Sequence, residues 1–220
     1  ADGSVDIVNM GAAGTPLTSA DVKAESDICC TSSNAVQVVE SLGVDKVIFL
    51  PDEYLARYVA SQTKVKIIAW KGHCEVHERF TGDEIRSFRR QYPDLSVLAH
   101  PECPPDVLAA ADYVGSTSGI LNFAKTFPGD TLIVATEPHI IHQMEKAIPG
   151  KRFIGAPGAD GNCNCNICPY MALNTLEKLY VALRDLQPRI EIEEGLRLAA
   201  KKSLDRMLEM AAGTVGKGDL

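Results

Sequence analysis

The feature that most limits what this chain can fold into is an internal repeat. Residues 26–36, "SDICCTSSNAV", lie over residues 111–121, "ADYVGSTSGIL". Asp27 then aligns with Asp112, and five residues later Ser32 aligns with Thr117. Twenty-five residues after each Asp stands another acid at the end of an apolar run: Asp52 in "VIFLPDEYLARYV" and Glu137 in "LIVATEPHIIHQM". Each copy then passes through a helical stretch into a further apolar run and reaches cysteine, Cys74 in the first and the 163–168 group in the second. Two βαβ segments can look alike by chance, but a spacing held twice marks two homologous units.

Within each unit, short β-branched runs alternate with amphipathic stretches, which predicts an α/β fold with parallel strands. The predicted strands are Val5–Val8, Lys46–Leu50, Val65–Ala69, Ser96–Ala99, Thr131–Ala135 and Arg152–Ile154. The predicted helices are Asn34–Leu42, Tyr54–Gln62, Gly82–Gln91, Gly119–Thr126 and Ile140–Ala147, followed by Leu173–Leu186 and Glu191–Met210. At 220 residues and 45% hydrophobic, the chain can build cores for two modest domains. Its formal charge of −7, with no Lys/Arg block, argues against a nucleic-acid or anionic-membrane partner. No apolar run of about 18 residues is present, and the first residues lack a signal-peptide layout. The expectation is a soluble cytoplasmic protein whose seven cysteines stay reduced.

Several groups of residues can carry chemistry. Thr31–Asn34 and Ser116–Gly119 each follow a short apolar strand and open a helix, where unpaired N–H groups and the helix dipole favour an anion. Plain N-capping is the competing reading. In "WKGHCEVH" (70–77), Cys74 lies near His73 and His77, so a metal or reactive role competes with a small buried hydrophobe. His77 can also cap the helix that follows. In "LAHPEC" (98–103), His100 and Glu102 are two apart and in extended chain would share a side, suiting acid–base work; a surface His–Glu pair is the alternative. "CNCNICP" (163–169) places Cys163, Cys165 and Cys168 in a Gly/Asn-rich loop before a helix. An iron–sulfur ligand next to proline, a zinc site and redox thiols all remain open for it on spacing alone.

Together, "TSADVKAESDICCTSSNAV", "FLPDEYLARYV", "WKGHCEVH", "LAHPEC", "DYVGSTSGI", "ATEPHI" and "CNCNICPYMALNTLEKL" resemble the quinolinate synthase family over residues 18 to about 210. The resemblance implies three similar α/β/α units around a pseudo-threefold axis, each giving one cysteine to a [4Fe–4S] cluster. Two of the three are found in this chain: a middle unit over 1–74, atypical in 1–17, and a last unit over 75–168. The helices of 169–220 would then pack on the absent first unit. Carried over by position, Cys74 and Cys168 are the metal ligands, Cys163 and Cys165 are accessory, and Cys29, Cys30 and Cys103 match no ligand position. His100 and Glu102 match the family's catalytic His-Pro-Glu motif, which also touches substrate. Ser32 and Thr117 match hydroxyls that hold the substrate's phosphate and carboxylates, and Asn9 matches a substrate-binding asparagine.

The implied reaction condenses iminoaspartate with dihydroxyacetone phosphate to quinolinate, for NAD biosynthesis. The imine would come from an aspartate oxidase or dehydrogenase. The resemblance falters at the start, where Ile7 stands in place of an expected tyrosine and the segment giving the first cysteine is lacking. This chain alone is therefore expected to be weakly active or inactive, and a non-catalytic zinc- or thiol-based fragment is the alternative.

Overall fold

The computed structural model describes residues 5–10, 18–158 and 166–215, which form two compact units. The first comprises residues up to His73 together with those from Ile192 onward; the second is Cys74–Glu191.

In the first unit, β1 (Asp6–Met10), β2 (Ile28–Cys30), β3 (Lys46–Leu50) and β4 (Lys66–Ala69) make a parallel sheet in the order β2-β1-β3-β4. The connections are α1 (Ala20–Ala24), α2 (Ala35–Ser41) and α3 (Glu53–Gln62). Val8, Ile28, Val47, Phe49, Leu55 and Val59 are fully or almost fully buried in its core. The helix α9 (Glu194–Val215) completes the unit by packing on α1 and β2. Ser203 on α9 sits 3.4 Å from the Cys29 thiol and donates to the Lys23 carbonyl at 2.9 Å.

The second unit repeats this plan. Its strands β5 (Ser96–Ala99), β6 (Tyr113–Val114), β7 (Thr131–Ala135) and β8 (Arg152–Gly155) are parallel in the order β6-β5-β7-β8, the same path through the sheet. Its helices are α4 (Gly82–Gln91), α5 (Pro105–Ala110), α6 (Thr117–Thr126), α7 (Ile140–Ala147) and α8 (Leu176–Asp185). Side chains alternate across the strands. Val97, Ala99, Ile133 and Ala135 enter one core with Phe80, Ile85 and Val107, while Leu98, Leu132 and Val134 enter another with Ile120 and Met144. A sheet apolar on both faces must be covered on both, which gives the α/β/α layering.

The aligned aspartates explain why the repeat is readable. Asp27 accepts from the Ile7 N–H at 2.7 Å and returns its own N–H to the Ile7 carbonyl at 3.0 Å. Asp112 does the same with Val97, at 2.8 Å in both directions. Each acid thus clamps the short edge strand to the start of the central one.

Candidate functional site

In parallel α/β sheets the groove beyond the strands' carboxyl ends is where polar side chains collect. In the second unit, β5 leads into His100-Pro101-Glu102-Cys103. The His100 N–H continues the ladder to the Ala135 carbonyl at 3.1 Å, and the Cys103 N–H closes a turn on the His100 carbonyl at 2.9 Å. His100 and Glu102 therefore meet through a turn and not through the extended chain expected from their spacing. His100 Nδ1 lies 4.0 Å from Glu102 Oε2 and accepts from the Glu102 N–H at 3.4 Å.

Beside them stand Cys74 and His77, brought by the segment before α4. His77 opens a single 3-10 turn over His77–Arg79 and does not cap α4; Thr81 does, accepting from the Glu84 N–H. His77 is buried, stacked on His100 with centroids 4.7 Å apart. Its Nε2 is 2.9 Å from the hydroxyl of Thr136, at the end of β7, and its Nδ1 is 3.1 Å from Glu102 Oε2. That last approach pairs the two buried side chains directly. Ligand atoms of Cys74, His77 and Glu102 all fall within 4.8 Å of one another.

Electrostatics follow from this crowding. Burial works to lower the His77 pKa, but hydrogen bonding to Cys74 and the Glu102 carboxylate outweighs it and pushes it up to about 10. Burial and the neighbouring His77 charge bring His100 down to about 4. Glu102 is held below the usual carboxylate value: burial opposes this, and the hydrogen bond and charge of His77 prevail. The site therefore pairs a cationic and a neutral imidazole with one carboxylate, a division of states that suits directed proton transfer.

The other expected residues are placed as follows. His73 stacks on Tyr54 and pairs with Glu53 in the first unit. Asn9, buried at the end of β1, accepts from the Thr18 hydroxyl at 3.1 Å and donates to Ser26 Oγ at 3.0 Å. Ser32 sits in the turn after β2, where Asn34 Oδ1 takes the Thr31 N–H at 2.7 Å. Thr117 is exposed on the first turn of α6, whose capping hydroxyl is that of Ser116. Cys168 is half-buried, and its N–H reaches Glu137 Oε1 at 3.4 Å. Cys163 and Cys165 lie outside the described residues. Cys29, Cys30 and Cys103 are fully buried, and burial raises the thiol pKa of the first two. Among the described cysteines, Cys74 and Cys168 alone keep some exposure. Thr136 was not foreseen from sequence; its one signal is a hydroxyl at the carboxyl end of an apolar strand.

The structure is thus an α/β protein of two parallel-sheet units, the second of which gathers a thiol, an imidazole and a carboxylate beyond its strands. Residues 17–209 match the family model described as Quinolinate synthetase A protein, and the chain belongs to that family. Among relatives named quinolinate synthase, that of Thermosynechococcus vestitus is 53% identical over 194 residues, covering 88% of this chain and 61% of the relative. That of Rippkaea orientalis is 53% identical over 193 residues, covering 87% and 59%, and that of Cyanophora paradoxa is 49% identical, covering 88% and 59%. The chain thus spans about three fifths of the length of the curated relatives it matches.

Proposed function

We propose that this chain supplies two of the three units of a quinolinate synthase, condensing iminoaspartate with dihydroxyacetone phosphate in NAD biosynthesis. The observation that carries this reading is the grouping of buried Glu102, His100 and His77 with the partly exposed Cys74 beyond the strands of the second unit. The name shared by relatives at about 50% identity supports it.

In this reading Cys74 and Cys168 hold a [4Fe–4S] cluster with a thiolate from a further unit. When bound, such a cluster offers a Lewis-acidic iron to a substrate oxygen. The chain's own residues do the rest. Glu102, kept ionised beside His77, accepts a proton from the condensing carbon skeleton and returns one to a departing hydroxyl. His100, neutral at pH 7, polarises or relays at the same oxygen. Asn9, Ser32 and Thr117 bind the carboxylates and the phosphate. The three units surround a pseudo-threefold axis in the cytoplasm, with an aspartate oxidase or dehydrogenase supplying the imine. The apolar side chains exposed on α8, among them Leu176, Leu179 and Leu183, are the surface offered to the further unit.

A chimaera decides the matter: residues 18–210 of this chain replace the matching segment of the Thermosynechococcus vestitus relative. After anaerobic reconstitution it should form quinolinate, and Glu102→Gln should lower kcat by at least about 100-fold. A chimaera with full iron and sulfide that makes no quinolinate would refute the proposal, as would an unchanged rate in the variant.

A further inference from the structure

The two sheets are built alike but are not covered alike. The aspartate clamps pair Ile7 with Val97, and the alignment of Asp27 with Asp112 pairs Ile48 with Ile133 and Leu50 with Ala135. Strand register then makes Ile68 the counterpart of Ile154, and Trp70 that of Ala156. In the second unit Val97, Ile133, Ala135 and Ala156 are at most 2% exposed, sharing one core with Phe80 and Ile85 from the segment ahead of β5. In the first unit the same face is open: Ile7, Ile48 and Leu50 are half-buried, Ile68 is 42% exposed and Trp70 61%. Helix α9 does not close it, because it borders the opposite edge of the sheet, on α1, α2 and β2.

We propose that this open face seats one amphipathic helix that repeats α4, carried by the part of the protein that the reading above assigns to a further unit. The second unit defines the occupant. Its apolar side chains stand three apart, as Ile85 and Phe88 do on α4, to meet Ile48, Ile68 and Trp70. At the start of α4, Asp106 accepts the Gly82 N–H at 2.7 Å, and a side chain at Gly82 would come within 2.6 Å of the Asp106 carbonyl oxygen. The counterpart of Asp106 on α1 is Asp21, exposed and placed to receive a helix that begins with glycine. At the other end Gln91 shares a recess with Thr131 and Arg152, whose counterparts are Lys46 and Lys66. Two cations there favour the carboxyl end of a helix with an acid in its last turn.

A contiguous apolar face rimmed by charge is the mark of an interaction site. The curated relatives carry about two fifths of their length outside the match, ample for a helix the length of α4. This seat lies on the sheet of the first unit and is separate from the apolar surface of α8.

The test grafts the cover. Residues 80–95 are copied ahead of Asp6 in place of residues 1–5, which keeps the spacing from α4 to β5 because Leu95 is the counterpart of Val5. Tethered so closely, the copy acts at an effective concentration of the order of mM. Trp70 is the chain's single tryptophan, so its fluorescence reports on this face alone. In the graft its emission should shift to the blue, and acrylamide quenching should fall about threefold as the ring is buried. Ile85→Asp with Phe88→Asp inside the copy should restore the quenching of the ungrafted chain. Gln91→Glu in the copy should protect Trp70 more than Gln91→Lys does, and Lys66→Glu in the sheet should invert that order. The proposal is overturned if the graft leaves Trp70 as quenchable as in the 220-residue chain, if the doubly substituted copy protects it equally, or if the two Gln91 variants behave alike. It is also overturned if the ungrafted chain buries Trp70 on forming dimers in sedimentation, which would give the face to a second copy. The graft is read without activity and the chimaera above without fluorescence, so either reading can fail while the other stands.

Discussion

Replacing Glu102 with glutamine keeps the side chain's shape and removes one charge, which isolates what that charge does. In the native chain His77 is a buried cation with the Glu102 carboxylate 3.1 Å away. Breaking one side of a buried pair typically costs 3–5 kcal/mol, so a loss of about 3 kcal/mol is expected, with Cys74 still bonded to His77. For a chain of this length that is a fall in Tm of roughly 6–12 °C. The pH dependence fixes the cause. His77 has a raised folded pKa, so its contribution is complete below its unfolded value of about 6.5 and is lost as pH climbs through about 10. Glu102 has a depressed one, so its contribution is complete above about 4.3 and is lost as pH falls through the folded value. The Tm difference between native and Glu102→Gln chains should therefore be large at pH 7 and small at pH ~10.5, beyond the His77 transition. Near-UV circular dichroism of metal-free protein gives the melts, and the His77 ring ¹³C resonance gives the titration, which should move to lower pH in the variant. An equal Tm difference at both pH values, together with an unmoved resonance, would refute the pairing argument.

Asp27→Ala and Asp112→Ala remove equivalent clamps, and each should cost about 1–3 kcal/mol. Amide hydrogen exchange should quicken at Ile7 in the first variant and at Val97 in the second; exchange that quickens elsewhere but not there contradicts the shared role. Iodoacetamide at pH 8 should label Cys74 and Cys168 well before Cys29, Cys30 and Cys103, which are fully buried; peptide mapping that finds Cys103 equally fast would count against the packing described.

Much of the architecture could be read from residue order because two features were repeated. The Asp27 and Asp112 positions and the 25-residue step to Asp52 and Glu137 located equivalent strands, and identical sheet orders bear the duplication out. The central strands β3, β5 and β7 matched their predicted bounds, since each shows as a continuous apolar run, and β5 and β7 are buried on both faces. The edge strand β6 has two residues and α1 has five, too short for any periodicity to register. Helix α8 begins at Leu176, later than its apolar pattern predicts, because Thr175 caps it by accepting from the Lys178 N–H at 3.2 Å. At the candidate site, His100, Glu102 and Cys74 stood out as residue types in suggestive spacing. The bond between His77 and Thr136 spans 59 residues, and only the folded sheet brings such partners together.

The dependence of the first unit on α9 has a consequence for how the chain is made. The ribosome must add the 120 residues of 74–193 before the helix that seals β2 begins to emerge. At translation rates of about 5–20 residues per second, that is a wait of roughly 6–24 s. The uninterrupted Cys74–Glu191 unit can fold during this interval, while the earlier-made sheet waits with its β2 flank uncovered. The first unit can thus be completed only after the second has been made, and the nascent sheet of residues 5–73 is the stretch a chaperone would need to shield.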